Sequence, residues 1–219
     1  LPEIGPDDAK LRLKLAELLE EPHLFAPDDW RDLELMLLAG DLLTIERLLK
    51  GAPAPVSYQL YPADFWREQI KSAQEGPEFI RDFLGEQGGA PLSPARLDAL
   101  WAGYYRHVEE QARAPFLKGY FAFERDLRNV AAALRARRQK RPPAECLVGE
   151  GEVAEALAAS SAEDFGLSRD FPWLERLREA ASPQAVQEVI ERATWEYLEE
   201  NAGDDPFAFS AILAYLLKL

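Results

Sequence analysis

The side chains best suited to chemistry are few and scattered in this chain of 219 residues. His23 and His107 are its two histidines and Cys146 its one cysteine, all far apart in sequence. A metal site built from histidine and cysteine needs its ligands in clusters, and no such cluster is read here. His107 sits on a helical pattern beside Tyr105 and Val108 and reads as a structural or surface histidine. His23 follows Pro22 and reads as an exposed turn residue. Gly149-x-Gly151-x-x-Ala154 spells a dinucleotide-binding pattern. That pattern works only after a strand, where glycines bring backbone amides to a pyrophosphate, and KRPPAEC precedes it here. Asp164-Phe165-Gly166 spells a kinase triplet, without the glycine-rich loop, strand lysine and catalytic-loop aspartate that a kinase needs. It reads as a turn with Phe165 buried and Gly166 left-handed. Ser160 and Ser161 have no base nearby in sequence. Paired acids such as Glu109-Glu110, Glu199-Glu200 and Asp204-Asp205 are unavoidable among 39 carboxylates and read as solvated faces. The expectation is a protein without a catalytic site, cofactor or metal.

Charge is more informative. From Arg113 to Arg141, nine Lys and Arg face only Glu124 and Asp126, which gives +7 within a chain of net charge −14. Arg125, Arg128, Arg135, Arg137, Arg138, Lys140 and Arg141 are the candidate partner-binding residues. Concentrated charge opposite in sign to its molecule steers association. The plainer alternative is a core helix whose solvated basic end suits its own dipole. Glu124 to Arg128 is an i,i+4 pair in the favourable order, and it reads as a salt bridge within or between helices.

The element that carries this charge spans 115–141. Phe116, Tyr120, Phe123, Leu127, Val130, Ala131 and Leu134 recur at steps of three and four, one stripe of an α-helix about seven turns long. A helix of that length is expected to cross its domain, with others packed on it. Leu117, Phe121, Glu124, Arg128 and Arg135 fall on a second face.

The remaining segments also read as helices. They are expected at 8–21, 29–39, 42–50, from Asp64, around Phe79 to Phe83, from Ser93-Pro94, at 151–159, from Pro172, from Pro183 and at the C-terminal end. Asp28 is expected to cap the second and Gly40-Asp41 to break it from the third. APAPV, 52–56, reads as an extended linker. A short strand is conceivable at 56–60. The fold class is all-α, a bundle or layered array of helices around one long central helix. A single domain, 1–219, is expected, with a sub-boundary near 51–57.

Composition sets limits. An apolar fraction of 47% permits a sizeable core. An isoelectric point near 4.7 disfavours nucleic-acid partners. One cysteine fits a reducing cytosol. The longest uncharged stretch near the end, 206–217, is too short to span a membrane, and no signal-peptide pattern is read. The chain opens on leucine and stops within AILAYLLKL, so a longer protein is expected at both ends.

FAFERDLRNVAAALRARR, 121–138, resembles the central motif F-x-F-E-R-N-L-R-N-x-x-A-A-L of a bacterial family, DUF2764, encoded with subunits of V-type (A/V-type) rotary ATPases. LVGEGEVAEAL (147–157), SAEDFGLSRDFPWLE (161–175) and FAFSAILAYLLKL (207–219) fit in the same order. LPEIGPDD at the start resembles the end of the family's first segment. Asp126 stands where the family pattern has Asn. The resemblance implies a non-catalytic ATPase-associated subunit like the C (d) subunit. Such an all-helical adaptor joins the central rotor shaft to the membrane ring of proteolipids and supports ATP-driven ion transport or ATP synthesis. It would be cytoplasmic, peripheral at the inner face of the plasma membrane and held there by protein partners. An assembly or regulatory factor for the same machine is the alternative.

Overall fold

Prolines open four of the helices: Pro27, Pro94, Pro115 and Pro183. Proline suits a first helical position, where its missing N–H costs no hydrogen bond. The computed structural model describes residues 19–55, 58–87 and 92–218. These residues are all-helical, with no strand among them. The α-helices are α1 (Pro27–Leu49), α2 (Ala63–Lys71), α3 (Glu78–Gln87), α4 (Pro94–Gln111), α5 (Pro115–Arg138), α6 (Glu152–Ala159), α7 (Leu174–Glu179), α8 (Pro183–Asn201) and α9 (Phe209–Lys218). Short 3-10 turns cover Pro22–Leu24 and Pro143–Cys146. The expected helix at 8–21 lies almost wholly outside the described residues. Residues 58–60, the described part of the conceivable strand, are not extended into one.

The all-α expectation holds, with three corrections to its details. Residues 29–39 and 42–50 form one helix, α1, which runs through Gly40-Asp41. Its N-cap is Ala26, and Asp28 lies in the first turn instead. The long helix stops at Arg138 rather than 141. Lys140 turns left-handed at φ 58°, while the amides of Gln139, Lys140 and Arg141 bond back to carbonyls of the last turn.

The described residues divide into two compact units, one within 12–118 and the other within 119–219. The division falls within α5, and residues 51–55, the described part of the expected sub-boundary, lie inside the first of these units.

In the 12–118 unit, α1 packs on α2 and α4, and α3 packs on α2 and α4. Leu33, Leu38, Leu42, Ile45, Trp66, Ile80, Leu100 and Tyr104 are fully buried there. Two aspartates of α1 receive other parts of the chain. Asp32 accepts the backbone N–H groups of Arg113 and Ala114 at 2.9 and 2.7 Å, which satisfies donors just before α5 begins. Asp41 is wholly buried and accepts Leu60 N–H (2.7 Å), Tyr61 N–H (3.0 Å) and the Trp66 indole N–H (2.6 Å). Ser93 caps α4 by accepting Arg96 N–H at 3.3 Å. Ser93→Ala is expected to lower stability by about 1 kcal/mol, the usual worth of an N-cap. Urea unfolding with an unchanged midpoint would show that the cap contributes nothing.

In the 119–219 unit, α5 supplies the core. Leu127, Val130, Ala133 and Leu134 pack with Leu157 of α6, Phe165, Leu167 and Trp173, Leu174 and Leu177 of α7, and Ala193 of α8. Of the expected stripe, Tyr120, Leu127, Val130 and Leu134 are buried, while Phe116, Phe123 and Ala131 are only partly so; Leu117 and Phe121, expected on the second face, are buried as well. Phe123 instead stacks on Tyr197 at 4.2 Å between ring centroids, an arrangement favoured by ring quadrupoles when offset.

Candidate functional site

The basic run starts near the middle of α5 and continues past its end, and each candidate residue has a distinct position. Arg125 is mostly buried and pairs with its neighbour Asp126, Nε to Oδ1 at 3.1 Å. Burial pushes the Asp126 carboxyl up, against the opposing pull of Arg125. The Arg125 side chain also lies across Gly149 and Gly151. A Cβ on Gly149 would come 3.3 Å from Arg125 Cδ. Both glycines are left-handed, at φ +73° and +135°. The dinucleotide-like spelling thus makes a tight bend beneath an arginine and leads into α6. Arg128 is half-buried with a partner of its own, as is Glu124. Arg135 and Lys140 are exposed, and Arg141 pairs on the surface with Glu145 at 3.2 Å.

Arg137 and Arg138 do something different. Arg137 donates to the carbonyl oxygens of Ser160, Ala162 and Glu163, the last at 3.4 Å. Its guanidinium carbon also lies 3.5 Å from the Phe165 ring centroid. Arg138 donates to the carbonyls of Leu177 (3.4 Å) and Arg178 (2.8 Å). One helix end thereby gathers the Asp-Phe-Gly turn and the end of α7. That turn has the expected form: Phe165 is buried, and Gly166 N–H bonds Asp164 Oδ1 at 3.0 Å. Phe165 is itself left-handed at φ 58°, a conformation costly for a bulky residue. The Arg137 contact helps to hold it. Arg137→Lys keeps the charge but loses the planar fork and the stacking. It is expected to cost about 1–2 kcal/mol, read as a lowered midpoint in urea. An unchanged midpoint would mean that the carbonyl contacts carry no stability.

An open depression of about 480 Å³ lies at this end, lined by Leu134, Arg137, Arg138, Pro143, Ser160, Ser161, Glu163 and Arg178. Arg178 reaches Glu163 at 2.6 Å and Glu175 at 2.5 Å. Sequence reading found Arg137 and Arg138 but not Arg178, which lies 40 residues on in α7. Only the tertiary fold brings it here.

Asn129 was also missed. It is wholly buried, donates to Val148 O at 2.9 Å and accepts Val148 N–H at 2.8 Å. The apolar stripe carried no sign of this pairing. Its one signal is an asparagine placed beside buried positions of a long helix, where a polar amide must find partners.

Both histidines belong to the 12–118 unit. His107 packs against Phe79 at 5.2 Å between centroids, and burial pushes its pKa down. His23 Nδ1 lies on the surface 3.3 Å from Glu21. Among the described residues, no group of three or more His, Cys, Asp or Glu is placed to hold a metal ion. No helix among them is long and apolar enough to cross a membrane.

The three internal stretches that carried the sequence resemblance therefore share one core: α5 holds the bend at 147–151 through Asn129 and Arg125, and the turn at 160–166 through Arg137. An uncharacterized protein of Chlamydia muridarum (strain MoPn / Nigg) is 23% identical over 205 residues, which cover 87% of this chain and 75% of that protein. No solved structure matches the chain. The family described as "Protein of unknown function (DUF2764)" matches residues 1–219, and the chain belongs to it.

Proposed function

We propose that this protein is a non-catalytic subunit of a V-type (A/V-type) rotary ATPase. In this reading it is an adaptor, like the C (d) subunit, between the central rotor shaft and the proteolipid ring. It supports ion transport or ATP synthesis without touching nucleotide. Membership of the DUF2764 family over the whole chain supports the proposal, because the resemblance read in the sequence is to that family as one encoded with the ATPase subunits. The architecture supports it. An adaptor needs stiff helices and surfaces for partners, and α5 ends in a basic face on an otherwise acidic molecule. The adaptor would sit at the cytoplasmic side of the plasma membrane, held by its protein partners.

The test is purification of the full-length native protein from its own cells, with mass spectrometry of the intact complexes. The expected result is one copy per complex together with shaft and ring subunits. Recovery only with partial subcomplexes would replace the adaptor by an assembly factor. Recovery without any ATPase subunit would overturn both.

A further inference from the structure

The depression at the end of α5 combines three arginines with two serines and a single lining carboxylate. The way its arginines are held matters. Among the described residues, Arg137 and Arg138 donate only to neutral carbonyl oxygens. Such bonds fix a guanidinium in place, use only part of its five donors and leave its formal charge intact. The opposing carbonyl and helix dipoles decay with distance faster than that charge. Arg178 is matched directly by the carboxylates of Glu163 and Glu175. Arg135, Lys140 and Arg141 extend the cationic face, with Glu145 against Arg141 and Asp164 near Arg137. The balance of these groups is positive on a molecule of net charge −14.

We propose that this depression receives the carboxylate side chains of a short acidic segment of a protein partner. Guanidiniums held rigidly by their own fold are preorganised, so little side-chain entropy is lost on docking. Their planar forks match carboxylates. The Ser160 hydroxyl stands at the same wall to add a hydrogen bond. A long polyanion such as nucleic acid would meet the repulsion of the whole molecule. A short peptide feels mainly charges within a Debye length, about 8–10 Å, where the cations prevail. The proposal shares with the adaptor reading the premise that this protein docks partners, but not which partners.

Ser161 makes the test clean, because it is exposed on the rim and lies outside the arginine framework. The full-length protein is titrated with a fluorescein-labelled hexaglutamate peptide, followed by anisotropy at low ionic strength. Saturable binding that weakens with added salt is expected. Ser161→Glu is expected to weaken it about tenfold, equivalent to about 1.4 kcal/mol. Ser161→Asn, with no charge, is expected to bind like the wild type. Melting curves check that both variants fold. No binding by the wild type, or equal binding by Ser161→Glu, overturns the proposal. Inorganic phosphate that displaces the peptide at equal concentration of charge overturns it in favour of a general anion site. The two readings also separate. Protein that binds the peptide but purifies without ATPase subunits overturns the adaptor alone. Protein that purifies with them but ignores the peptide overturns the depression alone.

Discussion

Replacing Asp41 with alanine is expected to cost about 4 kcal/mol of stability. The carboxylate accepts three donors, the Leu60 and Tyr61 amides and the Trp66 indole. Each buried donor left unpaired costs about 1–3 kcal/mol. Relief from burying a charge offsets part of that sum, since desolvation raises the Asp41 pKa above its ordinary 3.8. The sign of the pH dependence follows from that rise. The folded state holds the Asp41 proton more tightly than the unfolded state does. The group's contribution is therefore fullest below pH 3.8 and declines as pH rises through the higher folded value. The gap between wild type and Asp41→Ala should narrow across that window. Urea titrations of both proteins at several pH values measure it. A cost under about 1 kcal/mol would mean that water replaces the carboxylate, and that this segment is not held by it.

The same pair of residues shows where sequence reading stops. Gly40-Asp41 reads locally as a helix breaker, since glycine and aspartate both favour ends. The helix runs through because both residues serve the segment that returns some 19 residues later. A Cβ at Gly40 would run into the Tyr58 carbonyl oxygen and lie 3.0 Å from its carbon. The glycine thus admits a backbone, and the aspartate satisfies that segment's amides. Neither fact exists until the chain folds back. By contrast, the stripe of α5 was legible, because a period near 3.6 is local and directly reflects burial. Leu127, Val130 and Leu134 are buried in that core. The basic run was legible too as charge, but its chemistry was not. Carbonyls that bind Arg137 and Arg138 have no signature in composition, and Arg178 arrives from α7. The Asp-Phe-Gly turn was legible because three adjacent residues set its geometry. The division of the chain within α5 was not, since a continuous helix has no local mark where contacts change partners.

Asn129→Leu is expected to cost about 3 kcal/mol, despite the same branched skeleton of side-chain heavy atoms. Val148 is 1% exposed, and both its N–H and its C=O are bonded by the Asn129 amide. Leucine leaves both groups buried without partners, at about 1–3 kcal/mol each, and gains back part of that through apolar burial. The loss should be local before it is global. Hydrogen exchange should show the Val148 amide and its neighbours at the 147–151 bend opening first, with helix α5 still protected. Asn129→Asp separates the two bonds. An ionised aspartate still accepts Val148 N–H but faces the Val148 carbonyl with a second acceptor and a buried charge. Protonated, it can donate to that carbonyl and restore the pair. Its folded pKa should therefore stand above the unfolded value of about 3.9. Stability lost at neutral pH should return as the pH falls through the raised pKa. Equal stability of Asn129→Asp at neutral and mildly acidic pH, or wild-type exchange at Val148 in the leucine variant, would show that the amide pincer does not fix this bend.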